Sequence, residues 1–124
     1  MSEINIKTNA VLGDKDLQEG LKAIHPLWGD FVTRIAGEVW GMPLIDQKTK
    51  TFLALAVDIV NGDQSGQGTA FTPHIHMAVK QGATYDEIVE LFVFMGAYAG
   101  LAKATPAFGA LKILVENGAF SDKS

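Results

Sequence analysis

Two histidines two residues apart, in Thr72-Pro73-His74-Ile75-His76-Met77, are the side chains of this sequence best suited to chemistry. A third, His25, stands before Pro26. Imidazole exchanges a proton near neutral pH, so it serves as acid, base or metal ligand. The carboxylates to weigh beside these histidines are Glu38, Asp58 and Asp63. The chain has no cysteine, which excludes disulfides, thiolate metal sites and thiol nucleophiles. What remains is acid–base work, or ligation of a metal by nitrogen and oxygen.

Helix geometry separates these two uses. Thr72 is placed to cap a helix and Pro73 to open it, and Gly82 is placed to stop it. His74 then falls near the second helical position. A helix N-terminus carries partial positive charge and N–H groups that attract an anion. A neutral His74 there fits a base acting on a bound carboxylate or enolate; the alternative is a histidine satisfied by a loop carbonyl. Residues two apart on a helix point about 200° apart, so His74 and His76 diverge. They could share a metal with Asp58 and Asp63 only if this turn were extended, and no metal or other cofactor is expected. His76 reads as a pocket-rim or subunit-facing residue, or as plain surface. His25, at a helix entry, reads as structural.

Glu38, near the end of a helix, is either an acid among apolar neighbours or an exposed helix glutamate. Asp58, in an otherwise apolar helix, is either a pocket carboxylate or a paired polar group. The Tyr98 hydroxyl could donate to a developing oxyanion, or sit satisfied in a core.

These residues need elements to position them. Asp14 is placed to cap a helix over Lys15 to Ile24, which His25-Pro26 ends. Pro26 opens a second helix to about Trp40, with Leu27, Phe31, Ile35 and Val39 four apart. Asp46 is placed to cap a third, Gln47 to about Val60, apolar nearly all round and so expected to be central and buried. The glycine-rich stretch 61–71 is a loop. After the His74 helix, Thr84-Tyr85-Asp86-Glu87 is a capping box. The fifth helix runs from it to about Ala99, and a sixth covers Pro106 to Asn117. No stretch alternates with a period of two long enough for a strand. The expectation is an all-α bundle of about six helices forming one domain over 1–124, with 1–14 a loose arm.

Hydrophobic residues make up 48% of the 124 positions and charged residues only 19%. A quarter is the usual charged share, so part of the apolar surface is expected to be covered by other copies of the chain. The net charge of −4, without a basic run, argues against nucleic acid. No signal-peptide pattern opens the chain, and the apolar run from Phe92 to Ala102 is too short to span a bilayer. A cytoplasmic protein without membrane contact is expected.

Five segments taken together resemble the carboxymuconolactone decarboxylase family: Ala36-Gly37-Glu38-Val39-Trp40-Gly41, Leu44-Ile45-Asp46-Gln47-Lys48-Thr49-Lys50, His74-Ile75-His76-Met77-Ala78, Gly82 through Glu90, and Tyr98-Ala99-Gly100. The likeness covers about residues 25 to 117. It implies an alkylhydroperoxidase-like all-α fold and a homotrimer or homohexamer. It also implies metal-free decarboxylation of a γ-lactone carboxylate, with His74 matching the family histidine. The sister alkylhydroperoxidases carry a Cys-x-x-Cys pair whose positions fall near Gln67 and Ala70 here, so peroxidase chemistry of that type is absent. Met42 and Lys50 stand where the decarboxylases carry arginines.

The function expected is that of a cofactor-free lyase, a decarboxylase or related proton-transfer enzyme, acting on a small lactone or keto acid. His74 would move the proton, Glu38 or Asp58 would orient it or act as acid, and Trp40, His76 and Tyr98 would contact substrate. The alternative is a non-catalytic small-ligand binder or assembly subunit of the same fold.

Overall fold

The computed structural model describes residues 8–64 and 69–120. Those residues form six helices and no strand: α1 (Lys15–Ile24), α2 (Pro26–Trp40), α3 (Gln47–Asn61), α4 (Phe71–Lys80), α5 (Tyr85–Ala99) and α6 (Leu101–Glu116). The all-α expectation holds. No helix among them is long and apolar enough to cross a membrane. The chain divides into two compact units, one ending at Lys50 and the other starting at Thr51.

Local chemistry sets most of the helix ends. The Asp14 carboxylate accepts the Leu17 N–H at 3.1 Å, capping α1. His25 Nδ1 accepts the Leu27 N–H at 3.1 Å, so this histidine is the N-cap of α2 and its ring has a structural task. The Thr84 hydroxyl accepts the Glu87 N–H at 3.1 Å while the Glu87 carboxylate accepts the Thr84 N–H at 2.9 Å, closing the capping box of α5.

Two starts differ from the sequence reading, both because of a proline. α4 begins at Phe71, with Ala70 as N-cap and no side-chain cap, so Pro73 is its third residue. The first-turn N–H groups of a helix have no intrahelical acceptor, so proline costs little there and marks the start only loosely. α6 begins at Leu101 and runs through Pro106. Proline removes the N–H that would reach the Ala102 carbonyl, and one residue earlier the Thr105 hydroxyl bonds back to the Leu101 carbonyl at 2.9 Å.

In the first unit α1 packs on α2, and a Cβ at Gly29 would come within 2.6 Å of the Lys22 backbone. Only glycine permits that approach. Positions 8–14, read as part of a loose arm, are tied down, whereas residues 1–7 lie outside the described residues. Asn9, Ala10 and Val11 are buried. The Asn9 amide donates to the Gly37 carbonyl at 3.0 Å, and the Ala10 N–H donates to Gln47 Oε1 at 2.7 Å.

At the start of α3, Asp46 accepts the Thr49 N–H at 2.7 Å. Hydrogen bonds from the Thr49 side chain and backbone, helped by the nearby Lys48 charge, hold its carboxyl below the ordinary 3.8. A carboxylate with a lowered folded-state pKa stabilises above its unfolded pKa, and that stability is lost as pH falls through the folded one. Asp46→Ala should therefore be less stable than the parent protein near neutral pH. The difference should close in strongly acid solution, as thermal melts at the two pH values would show.

The core of the second unit is built from α3 to α6. Leu55 and Ile59 of α3, Phe71 and Ile75 of α4, Ile88 and Phe92 of α5, and Ala107 and Leu111 of α6 are all buried in one cluster. Ala83, just past Gly82 (φ +95), closes α4 into this core, its N–H bonded to the Ala78 carbonyl at 2.9 Å.

The expectation of a fully buried α3 is not met. Leu55, Asp58 and Ile59 are buried, whereas Leu53, Val57 and Val60 form an exposed apolar face. The four-residue stripe of α2 is likewise exposed at Leu27, Phe31, Ile35 and Val39, up to 74% at Leu27. Apolar periodicity identifies a helical face but not what covers it.

Candidate active site

The last turn of α3 supplies Asp58, and α4 supplies His74. His74 Nδ1 lies 2.6 Å from Asp58 Oδ2, with side-chain exposures of 22% for the histidine and 7% for the aspartate. An ionised carboxylate can only accept, so Nδ1 carries the proton of this bond. Nε2 is thereby left as the ring atom that takes or gives a proton. A buried carboxylate behind a partly open imidazole fixes the ring's tautomer and orientation, and it stabilises the imidazolium when one forms.

His74 is not where the sequence reading put it on the helix. It is the fourth residue of α4, and its own N–H donates to the Ala70 carbonyl at 3.0 Å. That N–H is spent inside the helix, so the aspartate, and not the helix start, is the observed partner of this residue.

The end of α3 is closed by its own local chemistry. Gly62 takes φ +74, its N–H bonds to the Ile59 carbonyl at 3.1 Å, and the Asp63 N–H bonds to the Asp58 carbonyl at 2.9 Å. This pair of bonds around a left-handed glycine is a Schellman closure. The buried Gln64 adds its side-chain amide to the same Asp58 carbonyl at 3.1 Å. The sequence reading took Gln64 for one more polar loop residue. The signal that could have raised it was its place just past the end of the Asp58 helix.

The other candidates stand differently. His76 is exposed on α4. Tyr98 is 79% exposed on α5, its ring centroid 5.0 Å from that of Phe94. Asp63 is exposed. Among the described residues, no group of three or more His, Cys, Asp or Glu side chains could hold a metal ion. Of the two positions matching the peroxidase cysteines, Ala70 caps α4 and Gln67 lies outside the described residues.

Glu38 and Trp40 belong to α2 of the first unit. Glu38 is exposed, and Trp40 is half-buried. The Trp40 carbonyl accepts from Gln47 Nε2 at 2.7 Å. Lys50 Nζ donates to the Val39, Trp40 and Met42 carbonyls at 3.3, 3.0 and 2.6 Å. Its ammonium thus closes the C-terminal end of α2, where orphan carbonyls and the helix dipole favour a cation.

The model of the carboxymuconolactone decarboxylase family matches residues 26–112 of this chain. The chain is also 30% identical over 101 residues to a 4-carboxymuconolactone decarboxylase of Acinetobacter baylyi, covering 78% of this chain and 72% of that protein. No solved structure matches it. With the family model covering all of α2 to α5 and most of α6, the chain belongs to the carboxymuconolactone decarboxylase family.

Proposed function

We propose that this protein is a cofactor-free lyase, a decarboxylase or related proton-transfer enzyme, acting on a small lactone or keto acid. The observation that carries the reading is the 2.6 Å contact between His74 Nδ1 and Asp58. Asp58 holds the ring, and Nε2 takes a proton from the substrate carbon or returns one to it. Where a carboxylate leaves as carbon dioxide, the electron pair of the broken bond passes into an enolate, and the carbon is then quenched by the Nε2 proton of a His74 ring that enters the step as the imidazolium and regains that proton from water. Glu38 is the candidate acid, and Trp40, His76 and Tyr98 are the candidate substrate contacts. The family membership and the similarity to a decarboxylase support the same class of reaction.

The test is a panel of small lactone carboxylates and keto acids, followed by carbon dioxide release and by solvent deuterium uptake at the substrate carbon. A substrate turned over by the wild-type protein and equally well by His74→Ala would overturn the assignment of the proton to His74. Binding without turnover across the panel would favour the non-catalytic reading, whose motivating observation is Lys50. In this chain the cation at a position where the decarboxylases carry arginine is bonded to three backbone carbonyls.

The assembly proposed is a homotrimer or homohexamer. Exposed Leu27, Phe31, Ile35 and Val39 on α2, with Phe94 and Tyr98 on α5, support it, because water-facing apolar stripes of this kind mark contact surfaces. Sedimentation at micromolar concentration should give a mass of three or six chains, and a monomer would refute it.

A further inference from the structure

We propose that Gln64 is a positioning residue of the His74–Asp58 pair, holding the backbone from which the carboxylate reaches the imidazole. This rests on the reading of His74 as the group that moves the proton.

Asp58 is the fourth residue from the end of α3. Carbonyls in the last turn of a helix have run out of following N–H groups, and helix ends fray unless other donors hold them. In an uninterrupted helix the Asp58 carbonyl would accept from the residue-62 N–H. Here that N–H goes to Ile59 instead, and the Asp58 carbonyl takes two replacements, the Asp63 N–H at 2.9 Å and the Gln64 amide at 3.1 Å.

The first replacement depends on Gly62 staying left-handed. The second is a side chain whose residue is only 5% exposed. A buried amide is held by its hydrogen bonds, because leaving one unmade costs its desolvation. Gln64 therefore ties the start of the loop to residue 58. Because the carboxylate is two bonds from the same Cα, displacement of that backbone carries Oδ2 with it. At 2.6 Å the contact is already shorter than the usual N–H···O range, so the bond that selects the His74 tautomer is weakened by a displacement that turns Oδ2 out of line with the Nδ1–H or carries it beyond about 3.2 Å.

The experiment reads His74 directly in the full-length protein, by nitrogen-15 NMR of its ring with and without Gln64→Met. Methionine keeps the length and bulk of the side chain but donates nothing. The wild-type ring should show Nδ1 protonated and Nε2 bare in the neutral state. In the variant a mixture of tautomers is expected, with exchange of the Nδ1 proton with water about tenfold faster. Turnover should fall about tenfold with KM little changed, comparable to the low end of the loss found when an outer partner of a metal-ligating histidine is removed. A fold-only role for Gln64 would leave the tautomer where it was.

Unchanged ring shifts and proton exchange in a folded Gln64→Met overturn the proposal. If that variant does not fold, hydrogen exchange of the Gln64 side-chain amide in the wild-type protein decides. Protection close to that of core backbone amides is expected, and exchange at the rate of a solvent-exposed glutamine overturns the proposal. Neither readout needs a substrate. The proposal can therefore fail while His74→Ala still abolishes turnover, and the catalytic reading can fail while Gln64 is shown to hold the ring.

Discussion

His74→Ala should lower turnover by about 10²- to 10⁴-fold, the range contributed by a positioned general acid or base. Asp58→Asn should lower it too, by less. An asparagine oxygen can still accept a hydrogen bond from Nδ1–H, but it no longer stabilises the imidazolium electrostatically, and its amide can turn to offer N–H and select the other tautomer. The two groups touch at 2.6 Å, so their losses should not add. The double variant should fall about as far as His74→Ala alone, because a carboxylate that acts through an imidazole has nothing to act on once the ring is gone. Full kinetics of the three variants on one substrate check this. Additive losses would show that Asp58 works independently of His74. Circular dichroism checks that the three variants are folded, because His74→Ala leaves the buried Asp58 carboxylate without its ring partner.

Phe92→Ala should be the most damaging single core substitution. The ring is fully buried, its centroid 5.9 Å from Phe71 and 5.4 Å from Phe108, the latter edge-on at 82°. Removing it takes away both aromatic contacts and leaves a cavity walled by α4 and α6 residues that cannot all collapse into it. The expected cost is about 3–5 kcal/mol, against a total stability of about 5–15 kcal/mol for a domain. Urea unfolding should show a lower midpoint with a similar slope. Phe94→Ala, two residues away, is the control. Phe94 is 58% exposed, so its loss should leave the unfolding midpoint of a single chain nearly unchanged and be felt in the state of assembly.

Those two phenylalanines also show how far local reasoning reaches. α5 was legible in outline because its start is a capping box and its end a glycine, both written in a few consecutive residues. The apolar run between them is too continuous to show which of Phe92 and Phe94 points inward. The starts of α4 and α6 were misplaced by two and five residues for the opposite reason, since proline is a strong local signal that these helices tolerate at Pro73 and Pro106.

The candidate site divides along the same line. His74 and Asp58 could each be singled out by type, one at a helix start and the other in an apolar helix. Their pairing spans 16 residues and a glycine-rich loop, so no periodicity connects them. For Gln64 the sequence offers only its place just past the end of the Asp58 helix, because its partner is a backbone carbonyl, which has no letter in the sequence.

By itself the sequence determined the all-α class, the ends of α1, α2 and α3 within a residue, the cap and the glycine stop of α5, the absence of thiol chemistry and the likeness to the decarboxylase family. All of these follow from residue types and their order along the chain, and the helix ends in particular are set by hydrogen bonds that close within about one helical turn. The tertiary structure alone decided which apolar faces are covered, that Lys50 is spent on the end of α2, and that Asp58 is the partner of His74. The pairing of Asp58 with His74 and the buried faces of α3 to α6 depend on where helices distant in the chain come to rest, and that is fixed by packing of the Leu55, Ile59, Ile75 and Phe92 core, which no local rule encodes; Lys50 depends instead on how the chain turns between α2 and α3.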